Sequence, residues 1–376
     1  MSRALRNYVK VWAGVLLGIL ALTAALNITV DPYMVFGVNV FPALAEYRPN
    51  KSRIMKAEMV RGESPAVVVL GSSRSETGLD PLSPHWPGQP VYNLSLTGAE
   101  LEEIGHVFDY VVREAKPRVM VLGIDLLMFN DERVSRNDFE NSRFNPQLKR
   151  VEYLFANALS HQATDASFEL IARSLSGEEP GYTPRGRHVE ENVIEHRRLF
   201  ETVLLNKFFL EDRTYLDFHY AEHRLDEVRR MAEVCEQEGI ELIIFINPVH
   251  ALQLEAIRLM GLWDMFERWK RDVVEAAGDV PLWDFTGYTG PRAERVPAAG
   301  ELTAMRWYFE SSHYKPALGE LVISDLFSET SSLGTRLTAQ NVGEHLAAIR
   351  GQRQQYVETH PDEIEWITEL HRTSTR

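Results

Sequence analysis

The stretch VVVLGSSRSETGLDP, residues 67–81, decides the fold. Its first four residues are apolar and three of them are β-branched, which fits a buried strand. The run then stops at Gly71-Ser72-Ser73-Arg74. Glycine and serine make an ordinary turn. In an open α/β sheet the same residues would lift a serine hydroxyl to the carboxyl edge of the strands, where such folds place their sites.

Outward from this stretch the chain keeps a strand–helix rhythm. Val91 to Leu94 reads as a short strand, and Gly98 leads to a helix over about 100–115. That helix carries Leu101, Ile104, Val107, Phe108 and Val111 on one face. Strands follow at Val119 to Asp125, Ile240 to Ile246 and Pro281 to Phe285, with helices over 222–238, stopped by Gly239, and over about 251–277. Residues 131–215 are polar and irregular and read as an insertion. The expected fold is α/β, a three-layer α/β/α sandwich with a mainly parallel sheet, preceded by one transmembrane helix. The expected segments are a cytoplasmic 1–10, an anchor 11–30, a connector 31–64 with Pro32, Pro42 and Pro49, a main domain 65–328 and a helical tail 329–376.

The anchor rests on VWAGVLLGILALTAALNITV, residues 11–30, which has no charge and is long enough to cross a hydrocarbon core of about 30 Å. Arg3, Arg6 and Lys10 precede it and Asp31 follows, which favours a cytoplasmic N-terminus and an extracytoplasmic body. The length of the apolar run favours a retained anchor over a cleaved signal peptide. The net charge of −14 argues against nucleic acid, which needs a basic surface. The one cysteine, Cys235, makes neither an internal disulfide nor a cysteine metal site. His219 and His223 stand four apart, but no glutamate follows the first, so no metal is expected there. No cofactor is expected either.

A serine becomes a nucleophile when a base takes its proton and a third group orients that base. Ser73 is the serine after the first strand. His313, in Tyr308-Phe309-Glu310-Ser311-Ser312-His313-Tyr314, is the candidate base, and Glu310 three positions earlier is the candidate orienting group. Taken alone, a glutamate and a histidine three apart read more plainly as two solvated surface residues.

Together the blocks resemble the SGNH (GDSL-type) hydrolase superfamily. The likeness is nearest to its single-pass, periplasmic members similar to alginate O-acetylation factors and the D-alanyl transfer protein of teichoic acid modification. Gly71-Ser72-Ser73 matches the first block, Asn93 to Gly98 the second, and Glu310-x-x-His313 the last with Glu for Asp. The resemblance covers residues 65–328 except the insertion. It implies Ser73 as nucleophile, His313 as base and acid, and Glu310 as its partner. The N–H groups of Ser73 and Gly98 would be oxyanion donors. Asp125 stands where the third block has an asparagine, and an ionised carboxylate cannot donate. Asn93, Asn130 or Asn247 would then supply the third donor, unless Asp125 is protonated.

Arg74 reads as a contact for an anionic group such as a uronate, or as a plain loop arginine. His250 and Asp284 follow strand ends, and Asp284 equally suits a turn cap. Trp307, Tyr308 and Tyr314 suit either sugar stacking or the core. The candidate substrate contacts are therefore Arg74, Asp125, His250, Trp307 and Tyr314. The resemblance implies O-acyl transfer or ester cleavage on a bacterial cell-surface polysaccharide, in the cytoplasmic membrane, beside an acyl-exporting membrane partner. The alternative expectation is a catalytically silent scaffold or glycan-binding subunit.

Overall fold

Apolar runs bounded by glycine or proline become five of the six strands of one sheet. The computed structural model describes residues 2–38, 40, 41, 44, 47, 52–134, 137–178, 180–190 and 195–374. The strands are β1 (Val67–Gly71), β2 (Val91–Asn93), β3 (Val119–Ile124), β4 (Glu241–Ile246), β5 (Leu282–Asp284) and β6 (Thr335–Leu337). Their order is β2-β1-β3-β4-β5-β6, parallel from β2 to β5, with β6 antiparallel on the edge. Every residue of β1 and β3 is buried, which explains their unbroken apolar runs. The chain steps from β1 to β2 on one side and crosses back to β3 on the other. The connections therefore diverge at the carboxyl ends of β1 and β3, which opens a crevice there.

Gly71 and Gly123 sit side by side at those ends. A Cβ on Gly71 would lie 2.7 Å from Ser75 Oγ and 2.8 Å from the Gly123 carbonyl. A Cβ on Gly123 would lie 2.7 Å from the Phe245 ring and 3.0 Å from Asn247 Nδ2. Glycine ends β1 because the following turn folds back against its neighbour with no room for a side chain. Ser72 then caps the short helix Ser73–Gly78, its Oγ accepting from the Arg74 N–H at 3.4 Å. The helix Leu101–Glu114 buries Leu101, Ile104, Val107, Phe108 and Val111, and Gly239, at φ 68°, ends the helix Leu225–Glu238.

The chain divides into two compact units, Gly62–Arg136 with Arg185–Arg376, and Met1–Arg61 with Asn137–Pro184. The expected insertion 131–215 is thus not one body. The helices Arg150–Leu159 and His161–Ser176 bury Tyr153, Ala163 and Ala166 against Tyr33, Val35 and Ile54. His196, Phe200, Leu204 and Phe208 are buried within the sheet unit instead. Nor does that unit end near residue 328. The tail supplies β6 and the helices Val342–Thr359 and Pro361–Ser374, with Leu346, Ile349, Tyr356 and Ile367 buried. In the connector, the helix Ser52–Met59 belongs to the smaller unit, while Pro42 and Pro49 lie outside the described residues. The helix Arg3–Val30 is long and apolar enough to span a membrane.

Candidate active site

The crevice at the ends of β1 and β3 holds about 90 Å3 of open volume, and Ser73, Gly98, Asp125, Lys207 and His313 are among its lining residues. Ser73 is the first residue of its helix and stays half-exposed there. His313 arrives from the far end of the chain on a tight hairpin. The Phe309 N–H donates to the His313 carbonyl at 3.0 Å, and the Lys315 N–H to the Trp307 carbonyl at 2.7 Å. The hairpin is held from outside by the His250 N–H, which donates to the Ser311 carbonyl at 3.0 Å, and by Ser311 Oγ, which donates to Gln253 at 2.7 Å. Buried His196 contributes as well, with Nδ1 2.9 Å from the Phe309 carbonyl.

At the hairpin's tip, His313 Nε2 lies 2.7 Å from Ser73 Oγ across 240 positions of sequence. Its Nδ1 meets Glu310 Oε1 in a short contact. Glu310 also accepts from the Ser312 N–H and the Ser312 hydroxyl, both at 2.8 Å. Burial alone would raise the Glu310 carboxyl. The adjoining His313 imidazole and the Ser312 hydrogen bonds outweigh burial and hold it at about 2. A carboxylate on Nδ1 fixes the tautomer that leaves Nε2 free to accept the serine proton. The arrangement is a serine, an imidazole and a carboxylate in hydrogen-bonded series, open to solvent at the serine.

Gly98 lies on the same crevice with φ 70°, and its carbonyl accepts from Arg133 at 3.0 Å. Among the described residues, neither the Ser73 N–H nor the Gly98 N–H has a hydrogen-bond acceptor.

The asparagines do not serve as a third donor. Asn93 Nδ2 donates to the carbonyls of Ser75, Glu76 and Leu79 at 2.8–3.4 Å, locking the turn behind the nucleophile. Asn247 Nδ2 donates to the Ile124 carbonyl at 3.3 Å, and Asn130 Nδ2 to the carbonyls of Thr214 and Asp217 at 3.1 and 3.3 Å. Each amide is consumed by backbone that loops past a strand end.

Asp125 lines the crevice as expected, yet its partners are internal. It accepts from Ser72 Oγ at 2.6 Å and pairs with Arg74 Nη1 at 3.1 Å. Arg74 Nε donates in turn to the Ser312 carbonyl at 3.2 Å. Burial opposes the Arg74 charge, and the Asp125 carboxylate more than restores it. Arg74 is therefore a clamp joining the nucleophile turn, β3 and the histidine hairpin, rather than a free anion contact.

Three other expectations are corrected. His250 is fully buried, with Nδ1 accepting from the Leu252 N–H at 3.2 Å and Nε2 on the Glu294 carbonyl at 2.6 Å. Burial lowers its pKa, so it is a neutral cap and not a cleft residue. Tyr314 is buried and donates to Asn247 at 3.0 Å. Trp307 lies outside the crevice lining, with the Arg306 guanidinium 4.2 Å from its ring centre. Asp284 takes its turn-cap reading, accepting from the Thr286 N–H and hydroxyl at 2.8 Å while buried 2.6 Å from Lys270 Nζ and 2.8 Å from His345 Nε2.

The lining residues that sequence reasoning missed include Thr97, Arg133, Lys207, Glu211 and Thr214. Lys207 sits on the π-helical turn Val203–Phe209, and its ammonium has no hydrogen-bond or ion-pair partner among the described residues. A π-turn widens the helix locally and often marks a functional position, which is a signal only the structure carries. No metal-ligating group of three or more His, Cys, Asp or Glu occurs among the described residues. Comparison of the chain with protein-family models, with curated proteins and with solved structures finds no match.

Proposed function

We propose that the sheet unit is a serine-dependent O-acyltransferase or esterase of the SGNH type. The observation carrying this reading is Ser73 Oγ at 2.7 Å from His313 Nε2, with Glu310 on the opposite ring nitrogen. As Ser73 attacks the acyl carbonyl, its proton passes to Nε2. The ester C–O bond breaks and Nε2 returns the proton to the departing alkoxide, leaving an acyl-serine. A second hydroxyl, from a sugar or from water, then gives its proton to Nε2 and takes the acyl group, and as the acyl–Oγ bond breaks Nε2 returns that proton to Ser73. The Ser73 and Gly98 N–H groups would meet the oxyanion, at about 3 kcal/mol for each donor. With Asp125 neutralised by Arg74 its charge no longer opposes that oxyanion, and the Lys207 ammonium on the same crevice adds positive potential.

The strand order 2-1-3-4-5 is that of flavodoxin-like doubly wound sheets, and helices on both faces would complete the three-layer sandwich. The substrate class follows from the resemblance, an O-acylated cell-surface polysaccharide, with a membrane acyl-exporting protein as partner. The apolar N-terminal helix supports a single-pass anchor with the enzyme on the extracytoplasmic side. The test uses the full chain in detergent, with a fluorophosphonate probe and p-nitrophenyl acetate. Wild type should be labelled and turn over, while Ser73→Ala and His313→Ala should not. Equal labelling of wild type and Ser73→Ala removes the reading. No labelling together with retained polysaccharide binding supports a glycan-binding subunit instead.

A further inference from the structure

The smaller unit carries apolar side chains that its own core does not use. On the helix Arg150–Leu159, Val151 and Phe155 are 64 % and 62 % exposed, and they stand four apart on one face. On the helix His161–Ser176, Phe168 and Leu175 are 58 % and 83 % exposed, seven apart and again on one face. Both helices pack on the end of the apolar helix Arg3–Val30. Asn27 of that helix is fully buried, its Nδ2 donating to the Ala158 carbonyl at 3.0 Å and to Thr164 Oγ1 at 3.1 Å, its Oδ1 accepting from Ser167 Oγ at 3.0 Å.

Dimensions say at what depth this packing occurs. Tyr8 and Trp12 are exposed near Arg3, Arg6 and Lys10, the aromatic and basic pattern of one membrane interface. From Val11, a hydrocarbon core of about 30 Å needs about 20 residues at about 1.5 Å each, which reaches Val30. The helix pair covers the last third of that span, since Thr23, Ala24, Leu26, Asn27, Ile28 and Val30 are all buried or half-buried. Two polar groups along this third are dressed for low dielectric. Asn27 is fully satisfied, and the exposed Thr29 hydroxyl donates back to the Ala25 carbonyl at 2.7 Å.

We propose that the helices Arg150–Leu159 and His161–Ser176 dip into the membrane leaflet in which the helix Arg3–Val30 ends, presenting Val151, Phe155, Phe168 and Leu175 to phospholipid. The exposed Glu152, Asp165 and Glu169 on the same helices keep them at the headgroup boundary, as in interfacial amphipathic helices. The smaller unit then works as a collar that fixes the anchor's depth.

The test uses the full chain with buried Cys235 replaced by serine, reconstituted into phosphatidylcholine–phosphatidylglycerol vesicles. An environment-sensitive fluorophore is attached at Leu17→Cys, Phe155→Cys or Phe168→Cys, each an exposed position whose labelling leaves the core intact. An unchanged melting temperature in detergent checks the fold. Brominated lipid should quench all three labels and aqueous iodide should quench none. Iodide quenching at 155 and 168 with lipid quenching at 17 overturns the collar while leaving the anchor. No lipid quenching at 17 overturns both, and neither result touches the serine chemistry.

Discussion

Replacing Asp125 with asparagine separates two roles that a carboxylate beside a nucleophile can have. If its charge mattered only by repelling an oxyanion, Asp125→Asn would raise turnover at no cost in stability. The geometry argues otherwise. Arg74 Nη1 lies 3.1 Å from the Asp125 carboxylate, and both side chains are less than a tenth exposed. At an effective dielectric of about 20, two unit charges at that separation attract by about 5 kcal/mol. Losing one partner of a buried pair typically costs about 3–5 kcal/mol, because the remaining charge is left uncompensated. Asp125→Asn should therefore destabilise by about 3 kcal/mol, since the amide oxygen still accepts from Ser72 or Arg74. It should also lower p-nitrophenyl acetate turnover, because Arg74 bonded to the Ser312 carbonyl helps hold the His313 hairpin. Arg74→Met with Asp125→Leu should recover much of the stability but not the turnover. Urea unfolding of wild type, Arg74→Met, Asp125→Leu and the double variant closes a double-mutant cycle. A cost below about 1 kcal/mol together with faster turnover for Asp125→Asn would refute the clamp.

Other consequences are equally direct. Glu310 is held at about 2 against an ordinary value of 4.5, so the unfolded chain binds that proton more readily. Its contribution is complete above about pH 4.5 and disappears as the pH falls toward 2. Glu310→Gln should lose on the order of 3 kcal/mol at neutral pH, flatten the acid limb of stability and lower kcat by about 10^3–10^4-fold, read by urea titrations across pH and by ester turnover. Burial lowers the Lys207 pKa, so its charge is held at a disadvantage in the fold. Lys207→Met should leave the melting temperature level or higher while ester turnover falls by up to about 10^2-fold. Gly123→Ala would press a methyl group between Phe245 and Asn247 and should cost about 1–3 kcal/mol in denaturant unfolding.

The strands were readable because β1, β3 and β4 are long apolar runs whose burial dictates their composition. The Ser73, Glu310 and His313 positions were readable because each sits in a short local pattern beside an element end. β6 was not, since Thr335–Leu337 is three residues long and its Arg336 is exposed, so no run of apolar residues announces it. Polar residues at strand ends misled in one consistent way. Asn93, Asn247, His250 and Arg74 are polar because irregular backbone at the sheet's edge needs donors and acceptors, and a sequence cannot tell that demand from a ligand's. Lys207 escaped because its segment turns as a π-helix, whose spacing matches no simple period.

The antiparallel pairing of Thr335–Leu337 on β5 bears on how the chain is handled as a reagent. A fragment trimmed near residue 328 would bare the Trp283 edge of the sheet and strip His345 from Asp284. Such a fragment would offer neighbouring molecules a sticky rim. Expression plasmids for the sheet unit should therefore run through Ser374, the end of its last helix.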